Sequence, residues 1–329
     1  MSQENTGVVR GGEVQMEVIG LSKRFIIKSK GKSAVLNAVS DVSFTVQKGE
    51  TFSIVGESGC GKSTLGRCLA RLLEPSDGQV VFEGRDVGQL KSGALRELRK
   101  KIQFIFQDPY SSMNPRMRVR SILAEPLRNF SVPSAQVEAR LEELLRLVSL
   151  KPDSLDKYPH QFSGGQRQRL VIARALALEP DFIVCDEPVS ALDVSVQAQV
   201  INLLVDLQKT LRLTYLFISH DLSVVRHLSH KVAVMYLGRM VEVGTRDEIF
   251  NTPRHPYTKA LMAAVPRFSE ESRGQPKALR LSGEIPSPLS PPSGCAFRTR
   301  CPNAQAVCAQ AQPEVRRFSA DHVVACHFA

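Results

Sequence analysis

The chain has 329 residues, 43% of them hydrophobic, which suits one large domain plus an extension, or two domains. No apolar run approaches the ~18 residues that cross a bilayer, and the first residues, MSQENTGVVRGGEV, lack an apolar signal core, so a cytosolic chain is expected. The formal net charge of +10 is spread without a basic block and interleaved aromatics, and there is no Trp; this argues against nucleic acid and for acidic partner surfaces or anionic lipid headgroups.

Residues 1–13 are polar and expected to be disordered. From 14 to 49 the pattern predicts short strands broken by the polar loop KSKGKSAV. Residues 51–55 alternate polar and apolar like a strand. The run GESGCGKST follows, comprising Gly56, Glu57, Ser58, Gly59, Cys60, Gly61, Lys62, Ser63 and Thr64. Glycines at this spacing let backbone N–H groups turn inward around a phosphate chain. Lys62 can reach the β- and γ-phosphates as a point charge, and Ser63 can hold Mg²⁺. A helix is predicted over 62–73, with Leu65, Leu69, Leu72 and Leu73 on one face. Strand, glycine turn and helix together aim a helix N-terminus at an anion, which argues against a chance glycine-rich turn. The chain is therefore expected to bind a nucleoside triphosphate.

Further strands are predicted at 80–83 and 101–106, and the stretch 116–160 reads as mostly helical, with apolar spacings of three and four in VEARLEELLRLVSL. Ser163, Gly164, Gly165 and Gln166 open another helix. Ser163 is a good N-cap, and the glycines expose helix-end N–H groups. One chain seldom needs two phosphate-binding helix ends for one nucleotide, so a dimer in which each chain caps the other's ATP is the economical reading. The run IVCDEP places Asp186 and Glu187 after a buried strand, at the sheet edge where ligands bind in open α/β folds. Asp186 is expected to hold Mg²⁺ and Glu187 to polarise the attacking water; beside the glycine loop, a mere turn or helix cap explains the pair less well. A helix around 196–207 and strands at 215–219 and 232–237 complete an α/β core with a helical insertion. Residues 268–294 are rich in Pro, Ser and Gly and read as linker. Cys295, Cys301, Cys308 and Cys326 then crowd the tail, with gaps of five, six and seventeen residues. In a reducing compartment they point to metal rather than disulfide.

Taken together, these motifs resemble the ATP-binding subunits of ABC transporters over about residues 14–265. Residues 56–64 look like Walker A, 183–187 like Walker B with its catalytic glutamate, 163–166 like the SGGQ signature, and 190–193 like the D-loop ending in Asp193. Gln107 falls at the Q-loop position and His220 at that of the switch histidine. The resemblance implies a P-loop NTPase fold: a RecA-like core with an antiparallel β subdomain and a helical subdomain at about 108–165. It assigns Glu187, His220 and Gln107 to catalysis, Gln107 to Mg²⁺ with Ser63 and Asp186, Asp193 to the opposing chain, and Phe25 to stacking on adenine, against the alternative of a core Phe.

The runs QDPYSSMNP, DEPVSALDVSVQAQ, RHPYTKA and GEIPSPLSPPSGC narrow the likeness to importers of dipeptides, oligopeptides and nickel, most of all the F-type subunit of a peptide importer. That implies a related second ATP-binding subunit in a heterodimer, two membrane permease subunits, an extracytoplasmic solute-binding protein, and a peripheral place on the cytoplasmic face of the inner membrane. It divides the chain at about 265, with a small Cys-rich extension over 266–329. It also suggests a [4Fe–4S] cluster on the tail cysteines; zinc and free thiols are the alternatives, and the absence of any C-x₂-C knuckle argues against zinc. Rival functions are an importer of nickel or another solute, and a soluble ATPase of the same class acting on nucleic acid.

Overall fold

Two sheets organise the computed structural model, which describes residues 12–29, 32–108, 112–263 and 283–329. The first is antiparallel. Strands β1 (Val14–Ser29) and β2 (Lys32–Gln47) form one long hairpin. The expected short strands are instead two strands of 16 residues, bent where the register shifts near Val18, Leu21 and Lys23. Bulges of this kind let a long hairpin curl onto a core without ending its ladder. β3 (Thr51–Val55) leads through the glycine loop into helix α1 (Lys62–Leu69). β4 (Asp77–Phe82) and β5 (Arg85–Asp86) then complete the first sheet in the order β2-β1-β4-β5.

Helix α1 stops at Leu69 rather than continuing to 73, because Arg71 turns to a positive φ of 53° and Pro75 follows. Leu65 and Leu69 are fully buried, whereas Leu72 is 46% exposed, off the face assigned to it. Burying a leucine contributes about 1.5–3 kcal/mol, so α1 is fixed by its first two turns.

Helix α2 (Ser92–Lys101) returns to β6 (Ile102–Ile105). The helical insertion follows: α3 (Val119–Asn129), α4 (Ser134–Leu147) and two short 3₁₀ turns, leading to α5 (Gly164–Leu176). Its leucines, including Leu123, Leu144 and Leu170, share one apolar cluster with Val200 and Phe217 of the main core. β7 (Phe182–Asp186), α6 (Val194–Leu211), β8 (Thr214–Ile218), α7 (Leu222–Leu228), β9 (Lys231–Tyr236) and β10 (Arg239–Thr245) complete the alternation. Helices α8 (Arg246–Asn251), α9 (Pro256–Ala263) and α10 (Ala306–Gln310) and strands β11 (Val315–Arg317) and β12 (Val323–Ala325) finish the chain.

The main sheet runs β11-β12-β10-β9-β3-β8-β7-β6. Its five strands from β9 to β6 are parallel, and β10 and the tail strands join antiparallel. The tail thus extends the main sheet. Its seat is a buried carboxylate: Glu242 accepts from the backbone N–H groups of Arg254 and His255 at 2.8 and 2.9 Å, and lies 2.8 Å from His322 Nε2. A buried carboxylate without such partners would be costly. Residues 1–11, most of the expected 268–294 linker, and residues 109–111 of the QDPYSSMNP run lie outside the described residues.

Candidate functional site

Neighbouring parallel strands deliver the candidate residues to one edge. β3, β8, β7 and β6 lie side by side, and at their C-terminal ends stand the glycine loop, His220, Asp186 with Glu187, and Gln107. This convergence, not proximity in sequence, builds the site.

The glycines have steric reasons. At Gly61, with φ of 104°, a Cβ would lie 2.0 Å from the Ala38 carbonyl oxygen; at Gly56 it would lie 2.2 Å from that of Met235. The loop is therefore pressed against β2 and β9, and its backbone is free to curl. Lys62 is buried, and its Nζ donates to the carbonyls of Gly56 and Glu57 at 2.9 and 3.0 Å. The Ser63 hydroxyl donates to Asp186 Oδ1 at 2.7 Å. Burial pushes the Asp186 carboxyl above the usual carboxylate range, against the Ser63 bond and nearby Arg67 and Lys62. A cation beside Ser63 and Asp186 would relieve that cost, so both side chains suit Mg²⁺.

Glu187 sits at a positive φ of 48°, unusual for a residue with a Cβ. Its backbone N–H donates to the Ile218 carbonyl at 2.9 Å, holding the turn. Its carboxylate is bracketed: Gln107 Nε2 donates to Oε2 at 3.0 Å, and His220 Nδ1 lies 3.2 Å from Oε1. Residues held in this sparsely populated region cluster at functional sites, which makes Glu187 a candidate.

A cavity of about 270 Å³ opens beside these groups, with Gly56, Glu57, Asp186 and His220 outside its lining. Residues 58–64, Gln107 and Glu187 line it, with Phe25 and Leu36 on the side of the antiparallel sheet. Phe25 is half-buried with Lys23 Nζ 5.0 Å above its ring, so it is placed at the cavity and not in the core. Asn37, Ala38, Leu237, Gly238 and Pro288 line the cavity as well. Sequence reasoning missed them, since they come from a hairpin, a turn and a Pro-rich segment without a spacing pattern of their own.

Ser163, Gly164, Gly165 and Gln166 stand apart from this cavity. Ser163 caps α5: its Oγ accepts from the Gln166 N–H at 3.4 Å, and Gln166 Oε1 accepts from the Ser163 N–H at 3.1 Å. This reciprocal box fixes the helix start. Gly165 allows close packing, since a Cβ there would meet Val196 Cγ1 at 2.3 Å. Asp193 begins α6 without a side-chain capping bond, and the neighbouring Val194 is 83% exposed.

The four tail cysteines line one small cavity with His255 and His327. Burial raises the thiols of Cys295 and Cys301, and the neighbouring thiols raise them further. Among the described residues, however, no three His, Cys, Asp or Glu side chains converge closely enough to hold an ion as they stand. No helix among the described residues is long and apolar enough to cross a membrane.

Comparison with known proteins gives the family and the fold. Residues 39–190 match the ABC transporter family, and residues 241–308 match the oligopeptide/dipeptide transporter C-terminal region. The chain is 50% identical to the oligopeptide transport ATP-binding protein AppF of Bacillus subtilis, covering 96% of this chain and 97% of that one. It is also 50% identical to the dipeptide transport ATP-binding protein DppF of Escherichia coli, covering 94% and 93%. Among solved structures it resembles cbiO1 of Clostridium perfringens, part of the ABC transporter complex cbiONQ, with a TM-score of 0.64 and 27% identity over 73% of this chain and 92% of that one. The ATP-binding cassette MJ0796, in a dimeric structure bound to ADP and Pi, gives a TM-score of 0.63 and 27% identity over 70% and 98%.

Proposed function

The chain belongs to the ABC transporter ATP-binding proteins of the oligopeptide and dipeptide transport family, and from that premise we propose that it hydrolyses ATP to power import of dipeptides or oligopeptides across the inner membrane. The observation that carries the reading is the bracketed Glu187 carboxylate in the lining of the glycine-loop cavity. Lys62 and the loop N–H groups bind the phosphates, and Phe25 stacks on adenine. Ser63, Asp186 and Gln107 would hold Mg²⁺, which when bound neutralises charge on the β- and γ-phosphates. Glu187 orients and polarises water, while Gln107 and His220 hold its carboxylate in line and His220 donates towards the γ-phosphate.

The second half of the site comes from another subunit. The capped end of α5 sits away from the chain's own cavity, and Val194 beside Asp193 is strongly exposed; both suit burial against a partner. Asp193 then meets the partner's glycine loop. The dimeric MJ0796 structure supports such pairing, and we assign the partner as a related second ATP-binding subunit in a heterodimer. Two permease subunits and an extracytoplasmic solute-binding protein complete the transporter, with this chain peripheral on the cytoplasmic face. A groove of about 590 Å³ beside α3, lined by Leu72, Phe104, Phe106 and Phe130, suits a cytoplasmic helix of a permease. Cys295, Cys301, Cys308 and Cys326 line one cavity, and their four thiols are the donor type of a [4Fe–4S] cluster, with zinc as the alternative; either would require these side chains to draw closer together than they stand.

The test is reconstitution in vesicles with two permease subunits and an extracytoplasmic solute-binding protein. Peptide-dependent ATP hydrolysis coupled to peptide uptake is expected. Uptake of nickel but not peptide, or ATPase activity stimulated by nucleic acid and not by the permeases, would overturn the reading. Iron and zinc per chain after anaerobic purification decide the tail: about four irons are expected, and stoichiometric zinc would replace the cluster.

A further inference from the structure

The second residue of the glycine loop, Glu57, is held from outside the loop by the last third of the chain. Its backbone N–H donates to Tyr257 Oη at 3.0 Å, and its carboxylate receives Arg300 Nη1 and Nη2 at 2.6 and 2.9 Å. Its carbonyl accepts from Lys62, so three of its polar groups are committed. Arg300 is buried, and Nη1 also reaches Tyr236 Oη at 3.5 Å. A paired fork of this kind fixes orientation as well as distance, unlike an exposed ion pair.

Arg300 is itself held by a short loop between Cys295 and Cys301. The Cys295 N–H donates to the Cys308 carbonyl at 2.8 Å, and the Arg300 N–H donates to the Phe297 carbonyl at 3.0 Å. Phe297 is buried against Tyr236 and Tyr257, with ring centroids 5.3 Å away in each case. The same extension reaches the nucleotide cavity again at Pro288. Nothing in ATP hydrolysis requires a tail residue here. A glycine-rich loop that must present several N–H groups at once loses affinity if its first turn wanders.

We propose that the cysteine-bracketed loop is a clamp on the phosphate-binding loop, with Arg300 as a positioning residue that pre-sets Glu57 for nucleotide. The state of the tail cysteines then reaches the nucleotide site through Arg300. The inference rests on nucleotide binding at residues 56–64, and not on which ion the cysteines hold.

The test is titration of full-length chain with MgADP, well below its melting temperature, for wild type, Arg300→Gln, Glu57→Gln and the double variant. Each single change should weaken binding about tenfold, and the double should be no weaker than either single. Cys301→Ser should weaken binding in the wild-type background and add nothing to Arg300→Gln. A purely structural role lowers the melting temperature but leaves affinity unchanged in the folded protein. Wild-type affinity in Arg300→Gln, or losses that multiply in the double variant, would overturn the clamp. An unchanged affinity in Cys301→Ser would overturn the link from the tail cysteines to the clamp. If Arg300→Gln does not fold, Glu57→Gln decides alone: its side chain is partly exposed, and wild-type affinity there would equally overturn the clamp. A wild-type chain that binds no nucleotide would defeat the nucleotide assignment and, with it, the clamp.

Discussion

Glu187→Gln tests the hydrolytic assignment most directly, because the change keeps shape and removes charge. The Glu187 N–H bond to Ile218 and the positive φ of 48° belong to the backbone and survive. Gln107 and His220, at 3.0 and 3.2 Å, would face an amide instead of a carboxylate. The nucleotide's ground-state contacts, Lys62, Ser63 and the loop N–H groups, are untouched. Affinity for MgATP should therefore stay within about twofold, while the chemical step loses its water-orienting charge. Removing one such group typically costs about 10²–10³ in rate, or roughly 3–4 kcal/mol of barrier. The assay is single-turnover phosphate release by the reconstituted complex, beside equilibrium MgATP binding and sizing for a trapped closed dimer. Adding His220→Ala should cost little more, since the two side chains act as a unit. Lys62→Ala should show the opposite split, losing affinity first. Turnover within threefold of wild type in Glu187→Gln would refute the reasoning, because no other carboxylate among the described residues lines the cavity.

Ser163→Arg should block hydrolysis at the partner's glycine loop by tenfold or more, while the chain's own loop still binds ATP; loss of ATP from its own site alone, in mixed dimers, would contradict the trans arrangement. His230 links acidity to stability: its Nδ1 accepts from the Thr51 N–H at 3.0 Å, and burial, aided by Arg246, holds its pKa below the usual histidine range. The unfolded chain then takes up the proton first, so stability falls as pH drops below about 6.5. His230→Asn keeps an acceptor without a titrating ring and should flatten the loss of melting temperature between about pH 7 and 5; parallel curves for the two proteins would refute the linkage.

What could be read from the sequence follows how far apart the cooperating residues lie. The glycine loop and the paired acids are legible because phosphate chemistry needs consecutive residues, and the short strands around them carry buried runs. The 14–49 hairpin was less so: its two long strands pair across register shifts that break simple alternation. Leu72 fits the α1 stripe by spacing, yet Arg71 turns the chain before it can pack. At Gly61 the residue was readable but its reason was only half so. Phosphate binding explains a flexible loop; the closeness of the Ala38 carbonyl, set by β2, explains why no side chain fits. The contact between Arg300 and Glu57 spans 243 residues and has no spacing at all. Phe297 seats the Arg300 loop against Tyr236 and Tyr257, while β10 carries the tail strands on the same sheet that holds the glycine loop. A tail that joins that sheet, and packs Phe297 on Tyr236 and Tyr257, can touch the phosphate-binding loop without touching substrate.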